Sequence, residues 1–299
     1  MATKPAYTLQ QQIGLLKKRG LTFNNESTAF ERLASISYYR LKGYWWDMQD
    51  DFENHKFAQG TVFEDIIERY EFDKKLRQVL FDAVESVEVA LRSKMIYHLS
   101  LKHGGLWYLN PSLFVDRKRH QSHLDELKKE FARSHEIFAK DHRTRYPDKD
   151  ADAWKIFEVA SFGTLSKFYK NLQHQLPEKL IIANEFGLNR QSELSSWLEA
   201  ISYIRNIIAH HSRLWNRNMV KRPASNLNNP SGVWFQRPLN SVQTKKPFLI
   251  ISCMVYLCEK TSSSHAIKSK ILELFKLFPN VPKYKMGFLN NWETEPLWR

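Results

Sequence analysis

Residues 62–101 set apolar side chains mostly three or four apart, among them Phe63, Ile66, Leu76, Leu80, Val84, Val87, Leu91, Met95 and Leu99. That spacing buries one face of an α-helix, and it predicts a long amphipathic helix here, or two in line. The same period recurs over residues 8–19, which end at Gly20, and over 27–41, which run into the aromatic stretch Y-Y-R-L-K-G-Y-W-W. It recurs again over 118–142, 161–175, 190–211, 247–260 and 265–277. Residues 147–150, P-D-K-D, end one region, and 216–247, with N-L-N-N-P-S-G and several prolines, form a long loop. Glycine is scarce, and no internal repeat, low-complexity tract or strand-like alternation is present. The expectation is an all-α chain. Residues 61–299 would make one dominant helical core, with a basic loop over 212–247 and closing C-terminal helices. Residues 1–60 would form a small helical appendage.

Composition narrows the class further. At 299 residues, 42% hydrophobic and 26% charged, the chain has the make-up of a folded protein. The opening M-A-T-K-P-A-Y-T lacks the apolar core of a signal peptide, and no window holds the roughly 18 uninterrupted apolar residues of a membrane span. A cytoplasmic protein without a membrane partner is expected. The two cysteines, Cys253 and Cys258, sit five apart on an apolar segment. That suits neither a disulfide nor a zinc site, and it predicts small buried side chains in a reducing compartment. Phosphate-binding glycine loops, the G-x-S-x-G elbow and H-E-x-x-H are all missing, which removes support for ATP-driven, hydride-transfer and zinc-protease chemistry.

The net charge of +13 is unevenly placed: residues 201–299 hold 15 Lys and Arg against 4 Asp and Glu. Between Glu199 and Glu259 there is no acidic residue, while Arg205, Arg213, Arg217, Lys221, Arg222, Arg237, Lys245 and Lys246 all fall there. A one-sided field of this kind attracts polyanions. The plainer alternative is a solvated basic face.

The basic block begins at R-N-I-I-A-H-H, residues 205–211. On a helix, Leu194, Leu198, Ile201, Ile204 and Ile208 form one apolar stripe, and Arg205 falls near its middle. A guanidinium aimed at a core costs several kcal/mol unless it is paired. It therefore needs a carboxylate, a cleft or a second subunit. Asn206 and His210, four apart, share a polar face. An imidazole can move protons near neutral pH, and an arginine can hold a phosphate and stabilise charge growing on it. With the 2′-hydroxyl of RNA as nucleophile, these groups suffice for strand cleavage without a metal or other cofactor. The products would be a 2′,3′-cyclic phosphate and a 5′-hydroxyl. Such a reaction needs both an acid and a base. One catalytic histidine per chain therefore hints at two chains meeting at one site; His211 is a second candidate, although it points about 100° from His210.

These residues carry a resemblance. R-N-I-I-A-H matches the R-N-x-x-x-H form of the motif of HEPN ribonucleases. Its context, W-L-E-A-I-S-Y-I-R-N-I-I-A-H-H-S-R-L-W-N-R, resembles the abortive-infection proteins of bacteria, the AbiD/AbiF-like family. So do S-Y-Y-R-L-K-G-Y-W-W (37–46), the Y-E-F-D-K-K-L-R…V-E-S-V-E-V-A-L-R helix (70–92) and S-F-G-T-L-S-K-F-Y-K-N-L (161–172). The matched blocks span roughly 8–225, and the tail from about 240 has no match. The resemblance implies a HEPN-like helical bundle, a homodimer with two motifs at its interface, and a toxin-like role in phage defence. It implies Arg205, Asn206 and His210 as the catalytic set, with RNA as substrate and a small regulatory RNA as a further partner.

Other groups have competing readings. Arg92 and His98 also fit R-x(5)-H, as a second site. Alternatively Arg92 pairs with Glu88 one turn away, or Glu88 or Glu85 is the partner that Arg205 needs. His211, Arg213, Asn216, Arg217, Lys221 and Arg222 suit single-stranded RNA. They suit equally a helix C-terminus with favourable cations, and Trp215 is expected in the core. Tyr38, Tyr39, Arg40, Tyr44, Trp45 and Trp46 could stack bases but suit a core better. His120, His123, Asp141 and His142 lack the spacing of a metal site. Two further functions compete with the nuclease: an RNA-binding dimer that senses or sequesters RNA, and a helical protein in which Arg205, Asn206 and His210 form a buried network.

Overall fold

The computed structural model describes residues 5–225, 233–261 and 266–299. Among them the helices are α1 (Leu9–Lys18), α2 (Glu26–Ile36), α3 (Tyr38–Trp45), α4 (Phe63–His103), α5 (Arg117–Arg133) and α6 (Ile137–Arg145). They continue with α7 (Ala153–Ile156), α8 (Phe162–Asn171), α9 (Pro177–Glu185), α10 (Gln191–Ala209), α11 (Pro247–Thr261) and α12 (Ile267–Leu277). The chain is all-α. Its only sheet among the described residues is a two-stranded ribbon, β1 (Gln49–Asp51) antiparallel to β2 (Lys56–Phe57). No strand was expected there. The strands are too short to show alternation, and a turn in which Asp51 Oδ1 accepts from the Asn54 amide at 2.9 Å holds them.

The 62–101 stripe is one continuous helix, α4. Two other expected helices are broken. Ser37 takes a left-handed φ of 75°, which ends α2, and its hydroxyl then caps α3 by accepting from Arg40 N. The charged segment 118–142 divides into α5 and α6 because Ser134 is extended; Arg143 donates to the Phe131 and Ser134 carbonyls at 2.6 and 2.8 Å, folding the second helix back on the first. Helix α9, opened by Pro177, had no expectation at all.

Two compact units emerge. The smaller holds the chain up to Gln78, with Arg213–Trp215 and Ile271–Pro282. Its limit thus falls inside α4 rather than near residue 60. Phe72 is the reason: its ring packs on Trp215, Phe275 and Phe278. Beside it, fully buried Asp73 accepts from Tyr44 Oη (2.7 Å), Trp215 N (2.7 Å) and Leu214 N (3.3 Å), with Arg77 at 3.5 Å. Tyr44 and Trp45 are core, while Tyr39 is exposed.

The larger unit comprises Val79–Ser212, Asn216–Lys270 and Lys283–Arg299. In it α8 packs between α5 and α10, and α10 also meets α9 and α11. Helix α11 is buried from Pro247 to Cys258. Cys253 and Cys258 are free and buried as expected, and burial pushes the Cys258 thiol up to about 12. The tail beyond residue 240 closes this core through Phe288, Trp292 and Trp298 around Phe248.

One buried cation ties down α8. Lys179 is 1% exposed, and its ammonium donates to the Leu172 and Lys170 carbonyls at 2.6 and 3.1 Å. These are orphan acceptors of the helix end. Replacing Lys179 by Met is expected to cost about 1.5–3 kcal/mol, the usual loss for bonds to a charged group, read as a lower urea midpoint. Burial pulls the Lys179 pKa from 10.5 to about 8. The native state therefore sheds this proton before the unfolded chain does, so wild-type stability should rise relative to Lys179→Met as pH climbs from about 8 toward 10.5.

Candidate functional site

Helix α10 is apolar on one side, where Leu194, Trp197, Leu198, Ile201, Ile204 and Ile208 are buried. Its other side runs Ser192, Ser195, Ser196, Glu199, Ser202, Tyr203 and Asn206, in steps of three and four. That side forms one wall of a cleft of about 1080 Å³. Helix α8 supplies Gly163, Ser166, Lys167, Lys170 and Asn171, and α5 supplies Arg119, His123 and Glu126 beside its N-cap Asp116. Lys221 reaches the same cleft from the segment after the motif.

Arg205 also lines this cleft. Of the three ways to satisfy a guanidinium on that stripe, the fold uses the cleft. The side chain is half-buried and makes no hydrogen bond or ion pair with any described residue. Its charge acts on Glu88 of α4. Burial raises the Glu88 carboxyl, while Arg92 first and then Arg205 pull it down. Asn206 is exposed and lines the cleft beside Arg205. His210 is exposed, caps the end of α10 and donates its N–H to the Asn206 carbonyl at 3.1 Å; it is not part of the cleft lining. His211 follows with a left-handed φ of 53° and is also exposed.

Arg92 and His98 do not come together. Arg92 is spent on Glu88 (2.8 Å) and on the carbonyls of Phe157 and Ala160 (2.9 and 3.0 Å). His98 meets Glu185 at 2.8 Å, an acid it shares with Lys94. The pairing of Arg92 with Glu88 one turn away is the arrangement found, and Glu88 doubles as the carboxylate that senses Arg205.

The basic segment after the motif is dispersed. Arg213 donates to the Trp215 carbonyl at 2.6 Å and packs beside Gly43, where a Cβ would come within 3.0 Å of its side chain. Trp215 is fully buried. Asn216 accepts from Lys246 at 2.6 Å, and its amide meets the Met286 sulfur. Arg217 is half-buried and Arg222 exposed; neither lines the cleft. Only Lys221 of this group does, paired with Glu199 at 2.5 Å.

Sequence reasoning missed Arg119, Lys167 and Lys170, and weighed His123 only as a metal ligand. The signal was there in the spacing 119, 123, 126 on α5 and 166, 167, 170 on α8, which aligns polar side chains on one face. Burial, aided by the Lys167 charge, draws the His123 imidazole below its ordinary range, and its Nδ1 is buried with no partner. His120 and His142 are structural: their Nε2 atoms contact the carbonyls of Tyr108 (2.8 Å) and Lys149 (3.1 Å). Among the described residues no group of three or more His, Cys, Asp or Glu could hold a metal ion. No described helix is long and apolar enough to cross a membrane.

The fold and the cleft define a class: an all-α protein with a bare arginine and a charged groove on one helix face. A family model described as Abi-like protein matches residues 31–216. The match covers more than half of the chain, and the chain belongs to that family, which points to abortive infection and phage defence. No curated protein and no solved structure matches it.

Proposed function

We propose that the chain is a toxin-like endoribonuclease of a phage-defence system, acting on RNA in the cytoplasm without a metal. The observation that carries the reading is Arg205: a guanidinium with no hydrogen-bonding partner among the described residues, set in a polar cleft near the C-terminal end of α10. Leaving a half-buried arginine unpaired is unfavourable for folding alone, and it suits a phosphate that arrives with the ligand. Asn206 adjoins it and can orient the phosphate. His210 lies one turn further and takes the proton of the 2′-hydroxyl. The 2′-oxygen attacks the neighbouring phosphorus, the bond to the 5′-oxygen breaks, and a protonated imidazole returns a proton to that oxygen. No oxidant or further reactant is needed. A second copy of the chain would supply a second His210, so the base and the acid can come from different protomers of a homodimer.

The location of His210 outside the cleft lining favours one alternative, an RNA-binding dimer that senses or sequesters a small RNA. Incubating wild type and His210→Ala with labelled single-stranded RNA and tRNA in EDTA separates the two. The nuclease reading expects cyclic-phosphate ends from wild type alone. Equal cutting by both proteins would remove His210 from the chemistry, and tight binding without cutting by either would favour the binding protein.

A further inference from the structure

The charge pattern of the sequence points to residues 211–222 as the place where nucleic acid is held, but of that segment's cations only Lys221 lines the cleft, whose other cations come from α5, α8 and α10. We propose that a single RNA strand lies along the cleft between α5, α8 and α10, its phosphates held by Arg119, Lys167 and Lys170 and its cut site at the Arg205–Asn206 end. The ligand rests on the nuclease reading; where the strand lies, and that it is single, go beyond it.

Five cations line the cleft against three carboxylates, Asp116, Glu126 and Glu199. Four of the cations are paired: Arg119 with Asp116 (3.2 Å), Lys167 with Glu126 (2.7 Å), and Lys170 and Lys221 with Glu199 (2.6 and 2.5 Å). The side chains of these cations are about half exposed or more, so these pairs are weak, salt-screened and open to competition from phosphate. Arg205, with no pair to give up, is the strongest phosphate anchor.

The lining between the cations is small and polar. Ser166, Ser192 and Ser202 line the cleft, and their hydroxyls make no hydrogen bond with any described residue. A serine hydroxyl both donates and accepts, which matches the 2′-hydroxyl that marks RNA. Small side chains also let a sugar–phosphate backbone approach closely. At about 1080 Å³ the cleft exceeds the ~300–1,000 Å³ of small-molecule sites, and so suits several linked nucleotides. It is concave, whereas double-stranded RNA is read by elements laid across its shallow minor groove. Tyr203, in the lining beside Arg205, offers a ring on which an unpaired base can stack.

Fluorescence anisotropy with a labelled single-stranded RNA tests this. All variants are made in full-length His210→Ala, so that binding is read without cutting. Arg119→Ala/Lys167→Ala/Lys170→Ala is expected to lose more than tenfold in affinity. The slope of log affinity against log salt should fall by about 2, roughly 0.7 for each phosphate no longer neutralised. Lys167→Arg/Lys170→Arg should bind like its parent, and duplex RNA should compete poorly. Arg119→Ala alone, at a side chain 70% exposed, serves if the triple variant fails to fold; its slope should fall by about 0.7.

Unchanged affinity and slope, a loss carried instead by Arg222→Ala, better binding of duplex, or no RNA binding at all would each overturn the proposal. Cutting by wild type with binding indifferent to the cleft would sink the groove and leave the nuclease. Binding through the cleft with no cutting would do the reverse.

Discussion

Arg205→Ala is expected to lower RNA cleavage by about 10²–10³-fold, the usual consequence of removing one donor that stabilises a developing oxyanion, while the melting temperature stays close to that of wild type. The separation of the two readouts is the point. Arg205 makes no hydrogen bond or ion pair with any described residue, so its removal leaves no buried group orphaned. Glu88 loses one favourable charge but keeps Arg92 at 2.8 Å. The stability change should therefore stay within about 0.5–1 kcal/mol, as at sites away from special features. Arg205→Lys keeps the charge and loses the planar fork, and should recover only a small part of the rate. Single-turnover cleavage measured beside a thermal melt decides the matter. A variant that cuts normally would return Arg205 to a structural role, and so would one whose activity falls only because it unfolds.

The second large effect falls on the smaller unit. Asp73→Ala should destabilise the protein by about 3–5 kcal/mol, the cost of removing one member of a buried charged network. The carboxylate serves Tyr44 Oη, the amides of Leu214 and Trp215, and Arg77. Burial pushes its pKa up, and these four donors oppose that shift. Alanine leaves the Tyr44 hydroxyl and the Leu214 and Trp215 amides without this acceptor in a buried site, while Arg77 loses the ion pair but keeps the Asp73 carbonyl at 3.2 Å. Asp73→Asn keeps an oxygen for Trp215 N and loses the second acceptor, so it should fall between wild type and alanine. Leu214 lies only four residues after His210, so the latch also restrains the chain that leaves the motif. Urea unfolding of both variants gives the order; an alanine variant as stable as wild type would show that these bonds contribute nothing net.

The expected helices came through where a stripe was long and self-consistent, as along α4 and α10. They failed where a single backbone position decided the outcome. Ser37 reverses direction with a left-handed φ, and nothing in the apolar period around it marks that break. Ser134 is similar: the turn there is stabilised by Arg143, a residue from the following helix. The unit boundary within α4 was hidden for the same kind of reason, since Trp215 and Phe275, which Phe72 and Asp73 help to hold, lie about 140 to 200 residues further on.

The site divides along the same line. Arg205 on an apolar stripe is an anomaly visible in one dimension, because helical period alone assigns each residue a face. So is its neighbour Asn206, and so are the blocks that identify the family. The sequence by itself thus determined an all-helical protein, its long spine, its abortive-infection membership and the arginine that does not belong in a core. Only the tertiary structure decided that Arg205 meets a cleft rather than a tight ion pair. It alone brought Arg119, His123, Lys167 and Lys170 to that cleft, and tied Arg213 and Asn216 down elsewhere. The physical reason is that a cleft is a property of packed faces: α5, α8 and α10 each carry a polar stripe with a solvated look of its own, and their joint meaning exists only once α8 lies between the other two.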